Sequence, residues 1–435
     1  LKIIEVIKYD GNSYKHPLVF AISIVIFFLK LLGKHRIAYK LAGSIFRFGW
    51  KGSDILALKT VDYYFIKNKQ LGVSIALEEI NSLQPENNTK RFYSHPDHMV
   101  GKIITILASP RGGRKGALII NYSIYFALFA RFFDVRAISE RYHIILEPSW
   151  AGLCELSIFF YTSLDTPVFV QAYERRDYEL IEKSGTNLVP INIGPSWFIN
   201  HEAFVPQKSD KIYDVVMVAA WAEFKRHKAF FKAIKPCCDA NPKFRIALVG
   251  YPVDLTIEDI KSAARSIGIE SNICFFESVP REKVAKIQSQ SKINVLWSKF
   301  EGNNRAIIEG MFCDIPVILR EGHNYGAKYD FINEKTGAYA NEKNLPMVIQ
   351  GLKRKLSSLS PRDYVMETRN AIMATRIIET AIANSVLNDE LACGYELAVK
   401  TNELSGMNYL YLDANSFNED RRNLSQFIRK TCADL

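Results

Sequence analysis

From about residue 117 the chain alternates between short apolar runs rich in β-branched residues and longer stretches with helical spacing. The runs "ALIINYS" (117–123), "YHIILEPS" (142–149), "TPVFVQAY" (166–173) and "LVPINIG" (188–194) read as strands, with helical patterns such as "RRDYELIEKSG" between them. A polar stretch, "PQKSDKIY" (206–213), reads as a linker, and a second series follows it. Its strands are "DVVMVAA" (214–220), "FRIALVGY" (244–251), "ICFFES" (273–278), "INVLWSK" (293–299) and "IPVILRE" (315–321), with "IEDIKSAARSIG" and "REKVAKIQSQS" as helices. Repeated β-α units imply parallel sheets covered by helices on both faces. The expectation is an α/β fold of two doubly wound domains, with ligands bound in a cleft lined by the C-terminal ends of the strands. From 346 onward the pattern turns helical, and "RDYVMETRNAIMATRIIETAIANSVL" is its longest piece. The expected division is 1–50, 51–205, 206–375 and 376–435.

Upstream of this alternation, "PLVFAISIVIFFL" (17–29) is uncharged over thirteen residues. A transmembrane helix needs about 20, and no small-x-small cleavage site follows, so neither a span nor a signal peptide is expected. In the adjoining "KLLGKHRIAYKLAGSIFRF", Ile37, Leu41 and Ile45 recur at four-residue spacing among Lys34, Arg36, Lys40 and Arg47. That is a basic amphipathic helix, suited either to a membrane surface or to packing on the protein's own core. Residues 17–48 are therefore the segment for membrane contact.

A length of 435 residues allows two or three domains, and 48% hydrophobic with 23% charged residues is a globular composition. The seven cysteines are scattered with no C-x2-C pair, which points to a reducing, cytoplasmic setting and to no thiolate zinc site. His95 and His98 share the loop "HPDH" without a nearby acid cluster or cysteine, so no metal is expected there. The formal charge of +10 favours an anionic partner: nucleic acid, anionic lipid or a phosphorylated small molecule. No zinc finger, RNP-type strand or basic heptad region supports nucleic acid.

The candidate chemistry lies in the second series. "EGNNRAIIEGMFCDIPVI" (301–318) sets Glu301 before a helix and Glu309 inside it. Were the whole segment helical, eight positions would span about 12 Å, the reach from a sugar across a diphosphate to a ribose. A carboxylate accepts from sugar hydroxyls without competing as a donor, which suits both acids to diols. The helix start, behind Gly302, Asn303, Asn304 and Arg305, offers unsatisfied N–H groups and a positive dipole end to phosphate. Lys225, in "AEFKRHKAFFKAI" beyond the first strand of this series, can neutralise a leaving diphosphate, and Arg226 and Lys228 are its basic neighbours.

In this arrangement, residues 188–340 resemble the retaining GT-B glycosyltransferases of the group 1 family, whose mark is the Glu-x7-Glu segment. "LVPINIGPSWFINHEAF" resembles their interdomain stretch, ending in Phe204. "VVMVAAWAEFKRHKAFFKAI" is similar to their first C-domain strand, loop and helix, "RIALVGY" to the strand ending in Gly250, and "KTGAYA" to their Thr-Gly turn. The resemblance implies two Rossmann-like domains and a nucleotide-diphosphate sugar as donor substrate. Glu309 would bind its ribose, Glu301 the transferred sugar, Lys225 its phosphates, and backbone N–H groups around 303–305 the diphosphate. It implies retention without a protein nucleophile, unlike two-carboxylate glycosidases, and with no metal or other cofactor.

The chain departs from the family at several points. Ala220 stands where many relatives have arginine, Arg226 takes a usual glycine position, and Asn304 and Asp314 replace two further glycines. In the first domain "PRGGRKGALII" leads into a strand rather than a helix, so no phosphate loop is established, and Arg111, Arg114 and Lys115 remain candidate anion contacts. "LEPSWAG" offers Glu147, Ser149 and Trp150 as acceptor-side residues, the tryptophan for stacking on a sugar or for core packing. The function expected is sugar transfer to a hydroxyl of a glycan or lipid-linked glycan, as in polysaccharide assembly, at the cytoplasmic face of a membrane. The alternatives are a nucleotide-sugar epimerase of the same fold, or a silent subunit that binds glycan or nucleotide.

Overall fold

The computed structural model describes residues 15–148, 155–208, 210–322, 324–325, 329–385, 396–403 and 406–429. The chain divides into two compact units, 1–198 with 371–435, and 199–370. The first and last segments expected to stand apart, 1–50 and 376–435, thus belong to the first unit.

Unit 1 opens with the helices α1 (Lys15–Leu31), α2 (His35–Arg47), α3 (Ser53–Val61), α4 (Lys69–Asn81) and α5 (Lys90–Ser94). Its sheet follows in consecutive order, β1 (Ile104–Ala108), β2 (Gly116–Asn121), β3 (Tyr142–Glu147), β4 (Val168–Gln171) and β5 (Leu188–Ile191). β2 to β5 are parallel and β1 is antiparallel to β2. Every residue of β2 and β3 is buried, as expected of strands covered on both sides. Because each crossover steps the same way and keeps a right hand, the intervening helices α6 (Ser123–Phe132), α7 (Val135–Arg141) and α8 (Arg175–Lys183) share one face.

The alternation of side chains confirms this. Leu118, Ile120, Ile144, Leu146, Val168 and Val170 pack into the core that holds Phe126, Phe129 and Leu180. Ala117, Ile119, Ile145 and Phe169 point the other way, onto Trp197, Phe198 and Ala371, Ala374 and Ile378 of a helix that returns late in the chain. Unit 1 therefore has helices on both faces but no reversal of strand order.

Unit 2 is wound both ways. It runs β6 (Val215–Val218), α9 (His227–Ala240), β7 (Ile246–Gly250), α10 (Ile257–Ile267), β8 (Ile273–Glu277), α11 (Arg281–Ser289) and β9 (Asn294–Leu296). Then come β10 (Phe300–Glu301), α12 (Arg305–Phe312), β11 (Val317–Arg320), β12 (Asn324–Tyr325), β13 (Gly337–Ala340), α13 (Leu345–Arg354) and α14 (Pro361–Thr368). The main sheet has the order β13-β11-β9-β6-β7-β8 and its pairings are parallel. The order reverses between β6 and β9, and open α/β sheets bind ligands beyond the strand ends at such a reversal.

The long helix expected over 362–387 is broken. α14 ends at Thr368 and α15 (Ala371–Ser385) starts at Ala371, where the chain passes back to unit 1. Arg369 stops it with φ −153°; its guanidinium pairs with Asp330 at 2.6 Å and lies over the Phe331 ring. Unit 1 then closes with the hairpin β14 (Lys400–Glu403) and β15 (Gly406–Tyr409) and with α16 (Asn418–Ser425). No helix among the described residues is long and apolar enough to cross a membrane.

Candidate active site

Lys225 follows β6 and Glu301 follows β9, the two strands that flank the reversal, so the topology alone brings them to one sheet edge. There they pair directly. Lys225 Nζ donates to Glu301 Oε1, and Ser298 Oγ donates to the same oxygen at 2.6 Å. Lys225 is 8% exposed and Glu301 9%, so this is a largely desolvated ion pair. The loops that carry them are tied together: Lys299 N donates to Phe224 O at 2.7 Å, and the Phe224 and Phe300 rings stack at 4.7 Å. Lys225 Nζ also lies 4.8 Å from the Phe224 ring centroid.

The segment 301–309 is not one helix. Glu301 ends the short strand β10, which pairs with β12; 302–304 form a turn, and α12 begins at Arg305. The 12 Å spacing of a continuous helix therefore does not apply. Asn304 is the N-cap of α12, its Oδ1 accepting from Ile307 N at 3.2 Å. Tyr329 clamps the turn: its hydroxyl donates to Gly302 O and accepts from Asn304 N at 3.0 Å. Of the backbone N–H groups around 303–305 expected to face a diphosphate, that of Asn304 is thus engaged by Tyr329. Asn303 is half-buried beside them. Glu309 sits one turn into α12 with its carboxylate 3.6 Å from Arg305 Nη2. α12 lies close on the sheet because residue 310 is glycine: a Cβ there would stand 2.4 Å from Asn294 Nδ2, which holds Ala306 O at 3.0 Å.

Arg226 has φ 58° and ψ 37°, the left-handed conformation that favours glycine, and Asp314 has φ 57° after the last turn of α12. Both are positions where the resemblance implied glycine, and both residues adopt the left-handed backbone that glycine takes without strain. Arg226 reaches Glu342 at 3.0 Å. His227, next to it, is buried; desolvation and the Lys225 charge hold its imidazole down to about 3, so it is neutral.

Other expected contacts fall elsewhere. A Cβ at Gly250 would stand 2.3 Å from Ala219 O and 2.6 Å from the Trp221 ring, so packing around Trp221 alone requires glycine here. Glu147 does not line an open edge: it is fully buried, accepting from Lys400 Nζ at 2.7 Å, Asn402 Nδ2 at 2.9 Å and Gln171 Nε2 at 3.3 Å. Lys400 is also fully buried and donates to Asn121 Oδ1 and Asn402 Oδ1. A carboxylate sealed this way has no means to meet an acceptor. Arg114 precedes β2, at the opposite end of the parallel strands from Glu147, in a tight turn with Arg111. Ser149 and Trp150 lie outside the described residues. His95, Asp97 and His98, expected not to bind metal, do place one ligand atom each within 4.8 Å of one another on the surface.

Sequence reasoning missed Ser298 and Tyr329. Ser298 was within reach, three residues before Glu301; Tyr329 has no local signal, because the groups it holds, Gly302 O and Asn304 N, lie more than twenty positions away.

Residues 199–370 match the family model of the group 1 glycosyl transferases. The match spans unit 2 and stops at its boundaries. It supports glycosyl transfer as the activity. No curated protein matches the chain. Among solved structures, the chain is similar to the C-terminal domain of a glycosyl transferase group 1 family protein from Francisella tularensis, at 16% identity, over 39% of this chain and 97% of that one, with TM-score 0.33. It is similar to Anabaena Alr3699/HepE in complex with UDP and glucose, at 12% identity, over 61% and 77%, with TM-score 0.47. A third is the lipopolysaccharide outer core galactosyltransferase WaaB, at 16% identity, over 74% and 83%, with TM-score 0.43.

Proposed function

We propose that the protein is a retaining GT-B glycosyltransferase that moves a sugar from a nucleotide-diphosphate sugar to a hydroxyl of a glycan or lipid-linked glycan. The observation that carries this reading is the buried Lys225–Glu301 pair at the strand-order reversal of unit 2, beside the N-terminus of the helix that bears Glu309. In the absence of donor the ammonium and the carboxylate neutralise one another. A bound diphosphate competes for Lys225 while the sugar hydroxyls take the acceptor positions on Glu301, so donor binding exchanges one satisfied set of charges for another. As the glycosidic bond breaks, negative charge grows on the diphosphate. Lys225, Arg226 and the positive end of α12 stabilise that charge with little reorganisation, because their loops are already fixed by the Phe224–Phe300 stack and the Tyr329 clamp. In this reading Glu309 takes the ribose diol.

The test is a panel of nucleotide sugars and free nucleotides in a thermal-shift screen, followed by calorimetry with any hit. The expected result is stabilisation by one donor, loss of most affinity in Glu309→Ala, and loss of transfer in Lys225→Met. NMR of the product's anomeric proton reads retention. Absence of any stabilising nucleotide across the panel, or wild-type donor affinity in Glu309→Ala, would overturn the reading. Conversion of the donor without acceptor would point to an epimerase instead.

A further inference from the structure

α2, the basic amphipathic helix, turns its apolar side inward: Ala38, Tyr39, Ala42, Ile45 and Phe46 are buried. α1 lies outside it and is covered only in part. Val19 and Ile26 dock against Ala38, Ala42, Ile45 and Trp50, with Leu18, Ile22 and Leu29 half-buried beside them, while the opposite side of the helix is open. The open side is a continuous stripe. Phe20, Ile24, Phe27, Phe28 and Leu31 recur at helical spacing and are 44–69% exposed; Val25, Leu32 and Ile37 widen it. The three phenylalanines, at more than half of an aromatic side chain's roughly 150–250 Å², leave on the order of 300–400 Å² of apolar surface between them. That alone matches the largest patch on an ordinary soluble monomer.

The segment that carries the stripe is basic, although Lys15 is buried and Arg36 and Lys40 pair with Glu79. Residues 15–53 contain Lys15, Lys30, Lys34, Arg36, Lys40, Arg47 and Lys51 and not one Asp or Glu. Lys34 and Lys51 are exposed at the ends of the helical pair, and Gly33, with φ 70° and nothing within 4 Å, makes the turn between them prominent. The seventeen residues of α1 are about 26 Å long. An apolar face with exposed lysines at its ends suits a helix lying in the plane of an anionic bilayer, with its face among the upper acyl carbons and Lys34 and Lys51 near the phosphates.

We propose that α1 is an in-plane membrane anchor: the face bearing Phe20, Ile24, Phe27, Phe28 and Leu31 inserts into the interface of an anionic bilayer, and α2 is the strut that joins it to unit 1. Within the segment 17–48 expected to meet a membrane, this assigns the apolar contact to α1 and leaves α2 packed on the core. It rests on unit 1 alone, so its failure leaves the donor chemistry of unit 2 untouched.

The experiment is co-sedimentation of the full chain with vesicles of phosphatidylcholine alone and with added phosphatidylglycerol, at low and high salt. The expected result is binding that needs the anionic lipid, weakens but persists at high salt, and falls at least tenfold in a Phe20→Ser/Phe27→Ser/Phe28→Ser variant. The three side chains are exposed, so the variant is expected to melt like the wild type, and its donor binding is the control for folding. No binding to either vesicle, or equal binding by the variant, overturns the proposal. So does a lipid-free dimer, seen by sedimentation velocity, that the same substitutions dissociate, because a second copy would then be the occupant.

Discussion

Lys225→Met removes the cation from a nearly dry ion pair and leaves the Glu301 carboxylate with Ser298 as its remaining hydrogen-bond donor in that cluster. Exposed pairs contribute about 0–1 kcal/mol, whereas stripping one partner from a fully buried pair costs about 3–5 kcal/mol. Both side chains here keep 10% exposure, which lets some water relieve the stranded charge, so the loss expected is about 2–3 kcal/mol. For a unit the size of 199–370 that corresponds to a fall in its melting midpoint of roughly 4–12 °C. Glu301→Gln keeps an acceptor oxygen for Ser298 and for the Lys225 ammonium but leaves that cation without its counter-charge, for about 1–3 kcal/mol. In the double variant neither charge is stranded, so the combined loss falls short of the sum by about 1–2 kcal/mol. Calorimetric melting of the four proteins reads this, with transfer activity measured in parallel and expected to fall by about 10²–10³ in each single variant. Strict additivity of the two stability losses would refute the buried coupling.

Two other outcomes follow from the geometry. Arg226→Gly removes a side chain from a left-handed residue, relieving about 1 kcal/mol of strain against the loss of a partly exposed pair with Glu342; unit 2 is expected to melt no lower than the wild type while donor affinity falls, and a lower midpoint would count against the strain. Glu174 is buried ahead of α8, and desolvation, then the nearby Asp177 charge, raises its carboxyl to about 8. The folded state therefore holds a proton that the unfolded chain gives up near pH 4.3, and stability falls as pH rises from there to 8. Glu174→Gln is expected to flatten that decline, its advantage over wild type growing between pH 5 and 9 to the order of a few kcal/mol; parallel stability–pH curves would contradict the shift.

The inner strands of both sheets were legible because most are short β-branched runs buried on two sides, whereas the edge strands β1 and β13 were not read as strands. Lys225 and Glu301 were legible for a topological reason: each follows a strand that flanks the reversal. Arg226 and Asp314 were read as standing where glycine was expected, and both have the positive φ that glycine adopts most easily. What the sequence hid is non-local. Glu147 reads as an edge carboxylate until Lys400, 253 positions later, arrives beside it. Gly250 reads as a ligand contact until the Trp221 ring is placed over it. The break at Arg369 was missed because helical spacing continues across it, and only the pairing with Asp330 and Phe331 stops the helix.

Unit 1 is assembled from two stretches of sequence separated by all of unit 2. During synthesis, residues 199–370 emerge as an uninterrupted block that holds every strand of its own sheet. The first unit must wait. Until residues 371–400 leave the ribosome, Ala117, Ile119, Ile145 and Phe169 have no α15 to cover them, and Glu147 has no counter-ion. The nascent chain thus passes through an interval in which its earlier half carries a bare greasy surface and an unpaired negative charge, and the order of maturation runs from the inserted block outward.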